Sequence, residues 1–423
     1  MDLRELKALE LAARSKIIFH LGYWIVPSQS SGGTYRVSIG ADPSCTCDDF
    51  TLRKSEHKVV LCKHIIASRL VAARDGGASA PPMVVDAVPK KPTFKQNWPL
   101  YDRAQMTEKN RFLELLSELV QGVQEPEKTK PGRRRHLLRD MVFASAFKVF
   151  STFSSRRFAC DLADAHQKGY ITKLMHSVQV CDFIDNPDMT PVLVALIQRS
   201  ALPLRSVESK FAPDSTGFST SRFIRWHDEK YGRERSGHAW VKAHVMTGTL
   251  TNIVTAVVID TPTAADAPQF KELVEATVGA GFKVNDLCAD KGYLSRENLE
   301  LAEQHGAAPF IPFKSNSVAG EAGSTWERLF LYYQFRREEF LKRYHARSNV
   351  ESTIAMIKAK FRDHVRAKSD VAMKNEVLLK ILCHNVVVVH QSVIELGIEA
   401  EFWKDEPPLN EGGPSVLPFR TIA

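Results

Sequence analysis

Three acids in this chain stand in contexts that could do phosphodiester chemistry. They are Asp214 in Phe211-Ala-Pro-Asp-Ser-Thr-Gly217, Asp290 in Cys288-Ala-Asp-Lys-Gly-Tyr293, and Glu351 in Tyr344-x2-Arg347-x3-Glu351-x6-Lys358. Each falls where a strand or helix is expected to end at a cleft. Three converging carboxylates can hold two magnesium ions, which polarise a scissile phosphate, activate an attacking water or 3′-hydroxyl and stabilise the leaving oxygen. On one helix at 100° per residue, Tyr344, Arg347, Glu351 and Lys358 fall within a stripe about 60° wide. Val350, Ile354, Ile357, Phe361 and Val365 mark an apolar face roughly 80° away, suited to packing on a core. Read singly, each Asp is equally a strand-end or cap residue, and Arg347 with Glu351 a solvated i,i+4 ion pair.

A second constellation is Cys45-x-Cys47-x14-Cys62-x-His64. Three thiolates and one imidazole make a sufficient tetrahedral set for one structural zinc ion, with two local turns supplying the ligands. His57 is a rival ligand, and free buried cysteines are the alternative without metal. The seven cysteines are odd in number and scattered apart from this crowd, so no disulfide framework is expected and the compartment reads as reducing.

The Tyr344-x2-Arg347-x3-Glu351-x6-Lys358 pattern and Asp290-Lys-Gly-Tyr293 after an apolar strand resemble the DDE transposases of bacterial insertion sequences, in the group with a Tyr-Arg-Glu-Lys signature. The resemblance covers roughly residues 100 to 400. It implies an RNase H-like core, two magnesium ions held by Asp214, Asp290 and Glu351, and cutting and joining of DNA at element ends. It further implies that Tyr344 and Arg347 grip a terminal phosphate and that Lys358 contacts the DNA backbone. The implied partners are double-stranded DNA, as terminal inverted repeats and target, and a second copy of the chain when assembled on DNA. The cysteine–histidine set, followed by Lys63-His-Ile-Ile-Ala67, resembles a SWIM zinc finger, which is not a standard part of these transposases. Two other readings fit the same residues: a transposase-derived protein that grips DNA without cutting, and another RNase H-like nuclease such as a resolvase.

The elements that must position these residues are legible in outline. Residues 3–19 read as a helix and Thr34–Ile39 as a strand, within a zinc-finger domain over 1–75. Residues 76–100, rich in Gly, Ala, Pro and Lys, read as a linker. Helices over 106–123, 138–152, 157–166 and 190–199 predict an all-helical DNA-binding domain over 101–205. The catalytic domain over 206–400 opens with a strand at Asp214, then a hairpin of 240–246 with 253–259. A helix over 266–279, a strand over 284–289, a helix capped by Ser295, a strand over 309–313 and the helix with Glu351 follow. The order β-β-β-α-β-α-β-α is that of an RNase H-like mixed α/β fold. Residues 401–423 read as a tail. Lys314–Trp326 is loop-like and long enough for a lid; Trp326 would either stack on an unpaired base or pack beside Leu329 and Phe330.

A net charge of +8 and a pI near 9.0 favour an acidic partner. Residues 128–157 hold nine Lys or Arg against one acid, a footprint for a DNA backbone or a solvated loop. The opening Met-Asp-Leu-Arg-Glu lacks a signal-peptide pattern, and no apolar stretch looks long enough to span a bilayer, so the expected location is cytoplasmic and nucleoid-associated.

Overall fold

The computed structural model of the chain describes residues 3–28, 33–53, 61–74, 97–126, 136–220, 240–261, 263–314 and 316–403. Residues 76–96 of the expected linker, His57, the basic run 128–135 and the tail from residue 404 lie outside the described residues, whereas the linker's expected last residues instead open a helix, Trp98–Val120, capped by Asn97. The chain divides into two compact units, Met1–Lys95 and Gln96–Ala423.

In the first unit, α1 (Leu3–Arg14) precedes a four-stranded antiparallel meander, β1 (Ile18–His20), β2 (Tyr23–Pro27), β3 (Thr34–Ser38) and β4 (Ser44–Cys45). Then come α2 (Asp48–Arg53) and α3 (Lys63–Arg74). The expected helix over 3–19 is therefore too long. It stops at Arg14, and Ile18 onward turns back on Tyr23–Pro27 as a hairpin paired Ile18↔Ile25 and His20↔Tyr23. The two-residue turn explains this: Leu21 and Gly22 both take positive φ, 47° and 85°, the geometry tight hairpins demand. Leu11, Val26, Val37 and Ile65 are fully buried in a small core that also takes in Cys45, Cys47 and Cys62.

The second unit begins with five helices: α4 (Trp98–Val120), α5 (Leu138–Ser151), α6 (Ser155–Gln167), α7 (Ser177–Ile184) and α8 (Met189–Ala201). The strands follow: β5 (Lys210–Phe218), β6 (Val241–Gly248), β7 (Val254–Asp260), then α9 (Gln269–Gly279), β8 (Asp286–Cys288), α10 (Arg296–Gln304) and β9 (Ala308–Phe310). Last come α11 (Thr325–Phe335), α12 (Arg337–Tyr344), α13 (Ser348–Phe361) and α14 (Asp370–Leu396). The sheet order is β7-β6-β5-β8-β9, antiparallel through β7, β6 and β5 and parallel through β5, β8 and β9. This mixed five-stranded sheet after a helical block is consistent with an RNase H-like core, as the element order predicted.

The helix α14 holds the unit together. Ser369 Oγ caps it by accepting from the Ala372 amide at 3.2 Å, and Gly397, at φ 68°, ends it. It packs on α4, α5 and α8 and also on β6 and β7, so helical block and sheet share one core. Residue 205 thus marks a change of element type with no gap in packing. Contrary to the sequence reading, an apolar stretch of spanning length does exist: α14 has 27 residues and mean hydropathy 1.7 over its most apolar window, of which 83% is buried inside the fold. Its composition is that of a core helix wrapped on all sides. The buried Asn385 joins the layers, donating to Ile197 O and Val254 O and accepting from the Val254 amide at 3.0 Å.

Candidate active site and zinc site

Asp214 lies inside β5, opposite Val245 of β6. On its other side β5 runs parallel to β8 with Lys210↔Asp286 and Phe211↔Leu287. Carried three residues further along both chains, this register sets Asp214 level with Asp290, just past the end of β8. Partners in adjacent strands point to the same side of a sheet, so the two acids share a face. Asp290 then turns the chain: its Oδ1 accepts from the Lys291 amide at 2.6 Å and caps a single 3₁₀ turn over Lys291–Tyr293.

Glu351 arrives from α13, which packs on β5 and β6. Arg347 joins the acids. Its Nη1 donates to Glu351 Oε1 at 2.7 Å and its Nη2 lies 3.5 Å from Asp214 Oδ2. The Arg347 and Asp214 side chains are only 15% and 20% exposed, whereas Glu351 is 62% exposed, so the Asp214 contact is the sheltered one. Burial pushes the Asp214 carboxyl above its ordinary pKa. The Ser215 amide and Arg347 oppose this, while Glu351 and Asp290 add to it.

The expected single helix from Tyr344 to Lys358 is broken. Tyr344 closes α12, His345–Arg347 form a 3₁₀ turn, and α13 starts at Ser348. Two competing hydrogen bonds account for the break: Cys288 Sγ donates to Arg343 O at 3.4 Å, and Ser348 Oγ donates to His345 O at 3.0 Å. Tyr344 nevertheless stays with the group, its phenol raised in pKa by burial and influenced by Arg347, Asp290 and Glu351. Lys358 sits further off, its ammonium 5.5 Å from the Phe218 ring and lowered in pKa by burial. Val365 is also off the helix. α13 ends at Phe361, Arg362 takes φ 76°, and the Val365 amide donates to Ser219 O at 2.9 Å. Lys291 is exposed.

Sequence reasoning missed the residues behind the site. His244 and Tyr293 are buried, and His244 Nδ1 lies 3.5 Å from Asp266 Oδ1, which Lys242 Nζ approaches at 2.8 Å. Tyr293 OH has no hydrogen-bond partner among the described residues; burial, then Asp266 and Asp214, raises its pKa. Only Tyr293 carried a signal, through the Asp-Lys-Gly-Tyr motif. Trp326 takes the packing alternative. It belongs to α11, meets Phe313 edge-on at 5.0 Å between centroids, and donates from Nε1 to Val318 O at 2.9 Å.

In the first unit, Cys45, Cys47, Cys62 and His64 are all buried, with their ligand atoms within 4.8 Å of one another. β4 supplies Cys45, the turn after it Cys47, and the start of α3 Cys62 and His64. His64 Nδ1 lies 3.8 Å from Cys45 Sγ and 4.0 Å from Cys62 Sγ. Tetrahedral zinc, with Zn–S of about 2.3 Å and Zn–N of about 2.0 Å, spans a sulfur–nitrogen edge of about 3.6 Å. The set therefore fits one zinc ion, with Nδ1 as the nitrogen ligand. A hydrogen bond from Cys45 lets Cys62 ionise far below the usual thiol range, at about 4, and Cys45 is pushed up in return.

The mixed RNase H-like sheet and the separate cysteine–histidine cluster define the class: a DDE-type core in a chain that also carries a metal-binding module. Residues 205–386 match the family described as the transposase DDE domain, and residues 35–68 match the SWIM zinc finger. The chain carries a transposase DDE domain with an N-terminal SWIM zinc finger. No curated protein and no solved structure matches it.

Proposed function

We propose that this protein is a DNA transposase that binds element ends and performs magnesium-dependent strand cleavage and strand transfer. The observation that carries the reading is the single guanidinium of Arg347 in contact with both Asp214 and Glu351, with Asp290 level with Asp214 on the adjacent strand. These three carboxylates would hold two magnesium ions. Their charge excess fits cations, since the half-buried Asp214 carries a raised pKa to which its two acidic neighbours contribute. The bound ions would supply Lewis-acid polarisation of the phosphate and activation of the attacking oxygen. Arg347 and Tyr344 hold and orient a terminal phosphate, the guanidinium fork matching its oxygens. Lys358 contacts the DNA backbone from two turns further along α13. The helical block and the basic run around 128–157 bind the terminal inverted repeats, and two copies assemble on DNA. The zinc ion is structural, and the protein works in the cytoplasm on the nucleoid.

The test uses the full chain and DNA from the flanks of its gene. Asp214→Asn, Asp290→Asn and Glu351→Gln should each reduce magnesium-dependent cleavage to background while a gel-shift assay shows end binding retained. Cleavage by Glu351→Gln at the wild-type rate would sink the assignment. Tight end binding by the wild type with no cutting in magnesium or manganese would favour the binding-only reading.

A further inference from the structure

A cavity of about 650 Å³ opens where α5, α7 and the segment from α13 to α14 meet. Its wall is apolar at Val149, Phe153, Ile184 and Phe361, and its cations are Lys148, Arg362, Arg366, Lys368 and Lys380 against the acids Asp182, Asp185 and Glu376. The acids are partly committed: Glu376 accepts from the Arg366 and Ala367 amides and pairs with Lys380, and Asp185 accepts from Ser369. Lys148 and Lys368 make no ion pair among the described residues. Phe153 is 47% exposed, whereas Ile184 and Phe361 of the same wall are buried.

The backbone here is unusual in a way packing alone does not require. Four non-glycine residues among those described take positive φ, and two of them, Thr152 at 54° and Arg362 at 76°, line this cavity. A β-branched residue in the left-handed region, and a side-chain-bearing residue in one used almost only by glycine, are strained. They are fastened to each other. Arg362 Nη2 donates to Thr152 O at 3.3 Å, and Arg366 Nη1 donates to Thr152 O at 2.9 Å and Phe153 O at 3.1 Å. The strain and its ties hold Phe153 out at the cavity mouth.

We propose that this cavity binds one nucleotide of a DNA strand, with its base against Phe153 and its phosphate on Lys148 and Lys368. The site is the right kind and in the right place. Aromatic faces and cations together are what single-stranded nucleic acid binds. α13 runs ten residues from Glu351 to Phe361, about 15 Å, or four to five nucleotide steps. A strand leaving the acid cleft along α13 therefore reaches the cavity mouth. The proposal rests on the transposase reading for its ligand.

The experiment measures binding by the full chain, in calcium so that no strand is cut, to a labelled single strand of about 15 nucleotides and to its duplex. Phe153→Ala should weaken the single strand roughly 5- to 100-fold and leave the duplex nearly unchanged; Phe153→Tyr should restore it. Lys148→Ala and Lys368→Ala should each lower the salt slope of single-strand binding by about 0.7. Equal weakening of strand and duplex by Phe153→Ala, or no change in either, overturns the proposal. So does displacement of a mononucleotide, but not of the strand, by Phe153→Ala, which would assign the cavity to free nucleotides. Cleavage assays on the same preparations separate the two readings. A wild type that never cuts removes the transposase, whereas a cutting wild type whose strand binding ignores Phe153 removes only the cavity.

Discussion

Arg347 is the residue on which the acid cluster turns, because one rigid fork meets two carboxylates from different elements. A lysine ammonium would be a point charge unable to span both. A residue further back, His384, makes the stability of the unit pH-dependent. It is buried on α14, with Nε2 2.9 Å from Asn252 O. Burial first, with Lys360 adding to it and the Asn252 bond opposing, depresses its pKa to about 4 from an ordinary 6.5. The unfolded chain therefore binds a proton that the folded chain refuses between those values. The neutral imidazole's contribution is fully present above pH 6.5 and is lost as pH falls toward 4. Between pH 7 and pH 5 the loss should be about 2 kcal/mol. Urea unfolding of wild type and His384→Gln at both pH values checks this: the variant should lose that much less stability on acidification. Equal losses would show that His384 does not carry the linkage.

At the scale of elements, the helix that presents Glu351 is aimed by a turn. Two residues before Glu351, Asn349 Nδ2 donates to Thr249 O at 2.6 Å, and two residues after it, Thr353 Oγ1 donates to Asn252 Oδ1 at 3.0 Å. The β6–β7 turn that receives them is fixed from below by the buried Glu208, which accepts from the Leu250 amide at 2.9 Å and from Thr251 Oγ1 at 2.8 Å. Asn252 tolerates its φ of 66° better than most residues would. Thr353→Val keeps the volume and removes a hydroxyl that lies 3.0 Å from both Asn252 Oδ1 and Asn349 O, costing about 1 kcal/mol in unfolding free energy. If the turn sets Glu351, the same variant should also raise the magnesium concentration for half-maximal cleavage while end binding stays unchanged. An unaltered magnesium dependence would mean that the buried Val350, Ile357 and Phe361 position α13 without the turn.

For the whole molecule, the division into two units with separate cores predicts two separable transitions. The first unit is small, and the cluster of three cysteines and His64 ties its sheet to α3, so its folding should draw on the metal. Metal analysis should find one zinc per chain, lost in Cys62→Ser. A chelator should abolish the lower thermal transition and leave the upper one, from the core around α14, in place. A single transition indifferent to chelator would contradict this arrangement.

What the sequence determined by itself is what depends on local spacing. The cysteine–histidine set is local, since two short turns carry all four ligands. The strand and helix order of the sheet domain follows from periodicity, and the Arg347–Glu351 pair from i,i+4 spacing. The tertiary structure decided what depends on partners far apart in the chain. Asn385 bonds Val254 across 131 residues, Arg347 meets Asp214 across 133, and Arg366 ties to Thr152 across 214. No local pattern announces such pairs. For the same reason no apolar stretch reads as long in the sequence, although Asp370–Leu396 forms the central helix of the fold. The break between α12 and α13 was likewise hidden, because a thiol on β8 and a serine hydroxyl compete there for helix carbonyls. Apolar burial and hydrogen-bond satisfaction are settled only when the layers close.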